Sequence, residues 1–176
     1  MLFPALFVSC ATKPPQPPPK AERIMYQWYD DMGKGEVAVK IDLSEQVATI
    51  YRGGRELGWS FVATGKEGRS TRPGSYRISE MLVDKQSNKY GWIENKFGEV
   101  TNDDATPATP LISGERYIPA PMPYWMRLTS YGVGMHVGNI PQPGEPASHG
   151  CIRMPKDFVP TLYGKVKLGT PVSIVP

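Results

Sequence analysis

Histidine is nearly missing from this sequence, with two in 176 residues, and cysteine is as rare. The two cysteines, Cys10 and Cys151, lie at opposite ends of the chain. One terminal thiol and one in a polar motif do not make a disulfide framework, so no structural disulfide is expected. There is no Cys-x-x-Cys pair and no His-Glu-x-x-His, which removes the usual zinc-site spacings. There is also no Gly-x-Gly-x-x-Gly turn and no P-loop, so neither a dinucleotide nor a nucleotide cofactor is expected. Long apolar runs are absent: residues 1–9 are far too few to cross a bilayer as a helix. Strong charge is lacking too. A net +3, scattered along the chain, argues against nucleic acid and at most suits an anionic polymer surface. No repeat recurs at solenoid periods. What remains, 40% hydrophobic and 21% charged, is ordinary globular composition, enough for one domain that buries roughly 70% of its unfolded surface.

The scarce residues converge. Both histidines, His136 and His149, and Cys151 fall within the stretch from Gly134 to Pro155. A thiol becomes a good nucleophile when a neighbouring base or cation favours its thiolate. Here two imidazoles and Arg153 are close in sequence. Gly150, just before the thiol, tolerates backbone angles closed to other residues and lets a substrate approach the main chain. Its freed N–H groups are candidates for an oxyanion hole. Chain order adds a constraint. In papain-like enzymes the cysteine comes first and the histidine far downstream, whereas here His136 precedes Cys151 by 15 positions and no histidine follows it.

Ser148-His149-Gly150-Cys151-Ile152-Arg153 resembles the SHGC(I/V)R signature of the YkuD-type L,D-transpeptidases, and His136 falls where that family has its upstream catalytic histidine. The loop between His136 and Ser148 is somewhat short and Pro-rich for that family. The resemblance implies Cys151 as nucleophile, His136 as general acid/base, His149 in support and Gly150 as oxyanion-hole backbone. It gives Ser148 and Arg153 places at the substrate. It further implies peptidoglycan stem peptides as substrate and no cofactor. A 3→3 cross-link, attachment of a wall protein or exchange of a D-amino acid would be the outcome, and carbapenems would acylate Cys151. Some relatives use water instead, so an L,D-carboxypeptidase or amidase is the alternative. A His136/His149/Cys151 zinc site, or an inert wall-binding domain, is a further one.

Phe7-Val8-Ser9-Cys10 is similar to a bacterial lipobox, which implies a lipid anchor at Cys10, membrane attachment and a periplasmic place in the envelope. The competing reading is an apolar segment with an incidental cysteine. Residues 11–23 are a Pro-rich linker, favouring a semi-rigid polyproline II spacer. Residues 24–176 are then the catalytic domain.

Within it, Ala21–Asp31 reads as a short helix packing Ile24 and Trp28 inward. Strands are expected at Val37–Leu43, Gln46–Tyr51, Leu57–Ala63, Gly74–Ile78 and Gly169–Val175, with a turn at Gly53-Gly54 and a short helix over Lys156–Leu162. Short strands at this spacing predict a mainly β domain, a sandwich of mixed sheets with one or two short helices. Arg69–Gly74 is similar to the family's TPxG turn with Arg72 inserted, and reads as structural. Residues 81–115 look polar and irregular, a cleft-forming loop, and its Asp103 and Asp104 read as a solvated turn. Pro121–Thr129 reads as a strand leading to His136. Tyr124, Trp125 and Arg127 are candidates to line the cleft, Arg127 by pairing a substrate carboxylate. Met135, beside His136, joins them.

Overall fold

The computed structural model describes residues 23–29 and 33–176. The first sheet contains β1 (Tyr26–Trp28), β2 (Val37–Asp42), β3 (Val47–Arg52), β4 (Arg55–Phe61), β5 (Gly74–Arg77) and β13 (Pro171–Val175). Their spatial order is β1-β4-β3-β2-β13-β5, antiparallel except where β13 runs parallel to β2. In β2, Val37, Val39 and Ile41 are buried while the residues between them are not, which is the period-two pattern of a half-buried strand.

The second sheet contains β6 (Glu80–Leu82), β10 (Trp125–Arg127), β11 (Gly134–Val137) and β12 (Ile152–Met154), in the order β12-β11-β10-β6. Between the two sheets lies one core. Val39, Ile41 and Ile50 from the first meet Met126, Met135 and Ile152 from the second. The only helix among the described residues, α1 (Val159–Lys165), drives Leu162 and the preceding Phe158 into that core, both fully buried. Burying such a side chain contributes roughly 1.5–3 kcal/mol. Helix and inward residues agree with the sequence reading, as do the mainly β class and the five expected strands.

Two expectations fail. The helix expected over Ala21–Asp31 is, where described, the edge strand β1, paired with β4 from Tyr26↔Ser60 to Trp28↔Gly58. Trp28 does turn inward, stacking on Phe158 at 4.6 Å and 12°. The polar stretch 81–115 is not an irregular loop either. It holds β7 (Gln86–Glu94) and β8 (Val100–Ala105), which with β9 (Arg116–Pro121) form a third, antiparallel sheet in the order β8-β7-β9. Five of the six residues of β8 are exposed. A ribbon with so little buried surface needs no apolar alternation, and its sequence therefore shows none.

Candidate active site

The parallel pairing of β11 with β12 sets the site. Its register, Met135↔Ile152 and His136↔Arg153, brings Cys151, the residue before β12, level with Gly134. Cys151 is held from several sides. Gly150 has φ +113°, a conformation that favours glycine. The Ser148 hydroxyl donates to the Cys151 carbonyl at 2.5 Å and accepts the Gly150 N–H at 3.0 Å. Thr71 accepts the Gly65 N–H and donates to the Gly150 carbonyl, each at 2.9 Å. Ser148 in turn donates its N–H to the Thr64 carbonyl at 2.9 Å, and buried Gln46 accepts the Thr64 N–H at 2.8 Å. Buried polar groups paired this fully specify one loop conformation.

The thiol lies against main chain. Sγ–H donates to the Gly132 carbonyl at 3.7 Å, and the Gly134 N–H points at the sulfur. A Cβ at Gly134 would stand 2.6 Å from the Met126 carbonyl oxygen and 2.7 Å from the Trp125 ring, so only glycine lets this strand come so close. Burial pushes the Cys151 thiol up, more than the Gly134 N–H and the Arg153 and Lys89 charges bring it down. His136 is 6% exposed, and burial lowers it to about 4, against the pull of its backbone contact and with help from Arg153. Thiol and imidazole are therefore both uncharged at rest. His136 Nδ1 lies 2.8 Å from the Val137 carbonyl oxygen. A carbonyl can only accept, so Nδ1 carries the proton and Nε2 is left as the base.

Two clefts meet at Cys151 and His149. The larger, of about 550 Å³, runs past Arg72, Lys89, Trp125 and Arg127. The smaller, of about 280 Å³, is lined by Trp92, Met122, His136, Ser148 and Arg153. His149 sits between β7 and β8: its ring packs 4.5 Å from that of Tyr90, and Nε2 is 3.0 Å from Asp104 Oδ1. Arg69 reaches the same carboxylate at 3.5 Å and stacks over Tyr90 at 5.2 Å. Burial lowers the His149 pKa and outweighs Asp104, which pulls the other way. The imidazole thus faces the Asp104 carboxylate uncharged, as a close polar contact.

The fold brings together Cys151, His136, His149, Gly150, Ser148 and Arg153, as the motif suggests. The Gly150 N–H, however, is already given to Ser148, whereas among the described residues no acceptor takes the Cys151 N–H. Trp125 and Arg127 line the larger cleft, Arg127 held by Glu80 at 3.0 Å. Tyr124 and Met135 line neither cleft. Tyr124 has φ +55°, which breaks the strand reading at that point, and packs on Tyr163. Met135 is fully buried in the core, because on a strand it faces away from His136. Asp104 corrects the solvated-turn reading: β8 carries it to His149. The sequence reading also missed Arg69, Tyr90, Thr71 and Gly134. Cys10 lies outside the described residues. Among those residues no three His, Cys, Asp or Glu groups converge as metal ligands would.

Sandwich and site together define a mainly β domain built around a cysteine–histidine centre. The YkuD family, described as the L,D-transpeptidase catalytic domain, matches residues 36–174, and the chain belongs to it. The fold is similar to that of the L,D-transpeptidase from Stackebrandtia nassauensis (TM-score 0.58, 21% identity, 83% of this chain and 58% of that one). It is likewise similar to the L,D-transpeptidase from Mycobacterium smegmatis (TM-score 0.63, 19% identity, 80% of this chain and 59% of that one). The present chain spans about three-fifths of the length of both. The catalytic domain of the Enterococcus faecium L,D-transpeptidase is covered almost whole (TM-score 0.58, 27% identity, 80% of this chain and 97% of that one). No curated protein matches the chain.

Proposed function

We propose that this chain is a cysteine L,D-transpeptidase acting on peptidoglycan stem peptides through an acyl-enzyme on Cys151. The observation that carries this reading is the half-buried thiol at the meeting of two clefts, one of them shared with a neutral imidazole whose Nδ1 is taken by the Val137 carbonyl. The Cys151 sulfur attacks the carbonyl before a terminal D-residue while His136 Nε2 takes the thiol proton, so no preformed ion pair is required. The Cys151 N–H supports the oxyanion in place of the Gly150 N–H. The tetrahedral intermediate collapses to a thioester, and His136 returns the proton to the departing amine. An acceptor amine arriving through the other cleft then attacks the thioester, gives a proton to His136 and leaves the thiol restored. Two clefts around one sulfur favour transfer over hydrolysis, since each can hold one partner. The acceptor would be a second stem peptide, a wall protein or a D-amino acid.

The same reading puts the domain in the bacterial envelope, with residues 1–10 as the end of a lipoprotein signal, Cys10 as the lipidated residue and residues 11–23 as the tether. No helix among the described residues is long and apolar enough to cross a membrane. The test is to incubate the chain with a tetrapeptide donor and an amine acceptor and to separate the products by mass. Transfer predicts a new amide product, lost in both Cys151→Ala and His136→Ala. Trimmed tripeptide alone would instead indicate a hydrolytic relative, and turnover by Cys151→Ala would overturn the mechanism.

A further inference from the structure

The two clefts differ in charge. Arg69, Arg72, Lys85, Lys89 and Arg127 line the larger one and no aspartate or glutamate does, although the chain as a whole carries 20 basic and 17 acidic residues. Two of these cations are answered from behind the wall, Arg69 by Asp104 at 3.5 Å and Arg127 by Glu80 at 3.0 Å. Arg72, Lys85 and Lys89 have no ion pair with a carboxylate among the described residues. Lys89 Nζ instead donates to the neutral Tyr131 carbonyl at 3.0 Å. Lys85 acts only at a distance on Glu80, whose carboxylate is taken by Trp125 and Arg127. The smaller cleft is lined by one cation, Arg153, and one carboxylate, Asp103.

Three uncompensated like charges in one concave wall repel one another, and an anion bound among them relieves that repulsion. The acyl donor of the proposed reaction is a peptide that bears carboxyl groups. Whatever else an acceptor carries, its attacking end is an amine, cationic in water, which this wall disfavours more than the smaller cleft with its one cation and one carboxylate. We infer that the larger cleft takes the acyl donor and selects stem peptides whose side-chain carboxyls are free rather than amidated, with Arg72, Lys85 and Lys89 as the specificity-determining residues. The inference rests on the transpeptidase reading for its donor, while the charge asymmetry stands without it.

The test compares two synthetic tetrapeptides that differ only in amidation of their side-chain carboxyls. The ratio of their kcat/KM values cancels any effect on the thiol itself. At low salt the free-carboxyl peptide is expected to be favoured about tenfold, mainly through KM, and the preference should shrink several-fold at about 0.5 M salt, where exposed charges are screened. The variant Arg72→Gln/Lys85→Gln/Lys89→Gln should bring the ratio to within about twofold of unity with Tm little changed, since such surface substitutions cost little. Each single variant should lose part of the preference, which covers the case of a poorly folding triple variant. Equal or faster turnover of the amidated peptide overturns the inference, as does a preference that survives all three substitutions. Calorimetric binding to Cys151→Ala separates the two readings. If the wild-type chain turns over neither peptide yet Cys151→Ala binds the free-carboxyl one more tightly, the reaction is wrong and the cleft assignment holds. Equal binding of both peptides overturns the cleft assignment.

Discussion

Asp104 Oδ1 lies 3.0 Å from His149 Nε2, which ties the exposed strand β8 to the loop that carries the thiol. The carboxylate favours the charged form of the imidazole against the burial that disfavours it. It also gives the third sheet a hold on the thiol loop. Under the proposed mechanism Asp104 would act through His149, as a positioning residue.

Replacing Asp104 with alanine removes the carboxylate that faces both His149 and Arg69. A contact to a carboxylate this exposed contributes about 0.5–1 kcal/mol, so kcat/KM should fall about two- to fivefold. Asp104→Glu keeps the carboxylate and should recover part of the loss. Steady-state kinetics of the two variants decide it, and wild-type rates in Asp104→Ala would contradict the role.

The neutral resting pair has a signature in thiol reactivity. Iodoacetamide reads thiolate, so alkylation of Cys151 should climb with pH through a midpoint above the ordinary thiol value of 9.0, with no plateau between about pH 5 and 8. A plateau there would reveal a preformed thiolate–imidazolium pair.

The histidine makes a separate prediction for turnover and stability. Its pKa of about 4 in the folded chain, against 6.5 for the ordinary side chain, puts the acid limb of kcat/KM near pH 4. In the same way the unfolded chain binds this proton first as pH falls. The stability due to buried neutral His136 is complete above pH 6.5 and is lost progressively from there down to about 4. Thermal unfolding should show Tm dropping across that window and dropping less in His136→Gln. An acid limb of turnover at 6.5 would contradict the assignment.

Thr71 tests the bracing of the loop. Thr71→Val keeps the shape but leaves the Gly65 N–H and the Gly150 carbonyl without partners in a buried place. Two unsatisfied groups cost about 2–6 kcal/mol, which lowers Tm by roughly 5–20 °C in a domain of this size. A shift under about 2 °C would mean the loop is held elsewhere.

Much of this was legible in the residues, for reasons that differ by element. Val37–Ile41 alternates because one face is buried, and Phe158 and Leu162 point inward at helical spacing. Cys151 and His136 stood out because the sequence has so few residues of their kinds. Asp104 did not, since an acidic pair in a polar stretch looks the same whether it meets water or an imidazole three strands later. Its role comes from the pairing of β8 with β7, and that ribbon has too little buried surface to write a pattern. Tyr26–Trp28 looked helical because three residues are too few to show a period, and pairing with β4 decided the matter. Met135 could have been excluded by alternation alone, as neighbours on a strand face opposite sides.

The most direct measurement of the central claim is the intact mass of the chain, taken within seconds of mixing with a tetrapeptide donor or with a carbapenem, followed by mapping of the modified peptide. The account predicts a single acyl adduct on Cys151 that disappears from the donor sample when an amine acceptor is added. Turnover of the donor with Cys151 never modified, or an adduct that persists in Cys151→Ala, would contradict it.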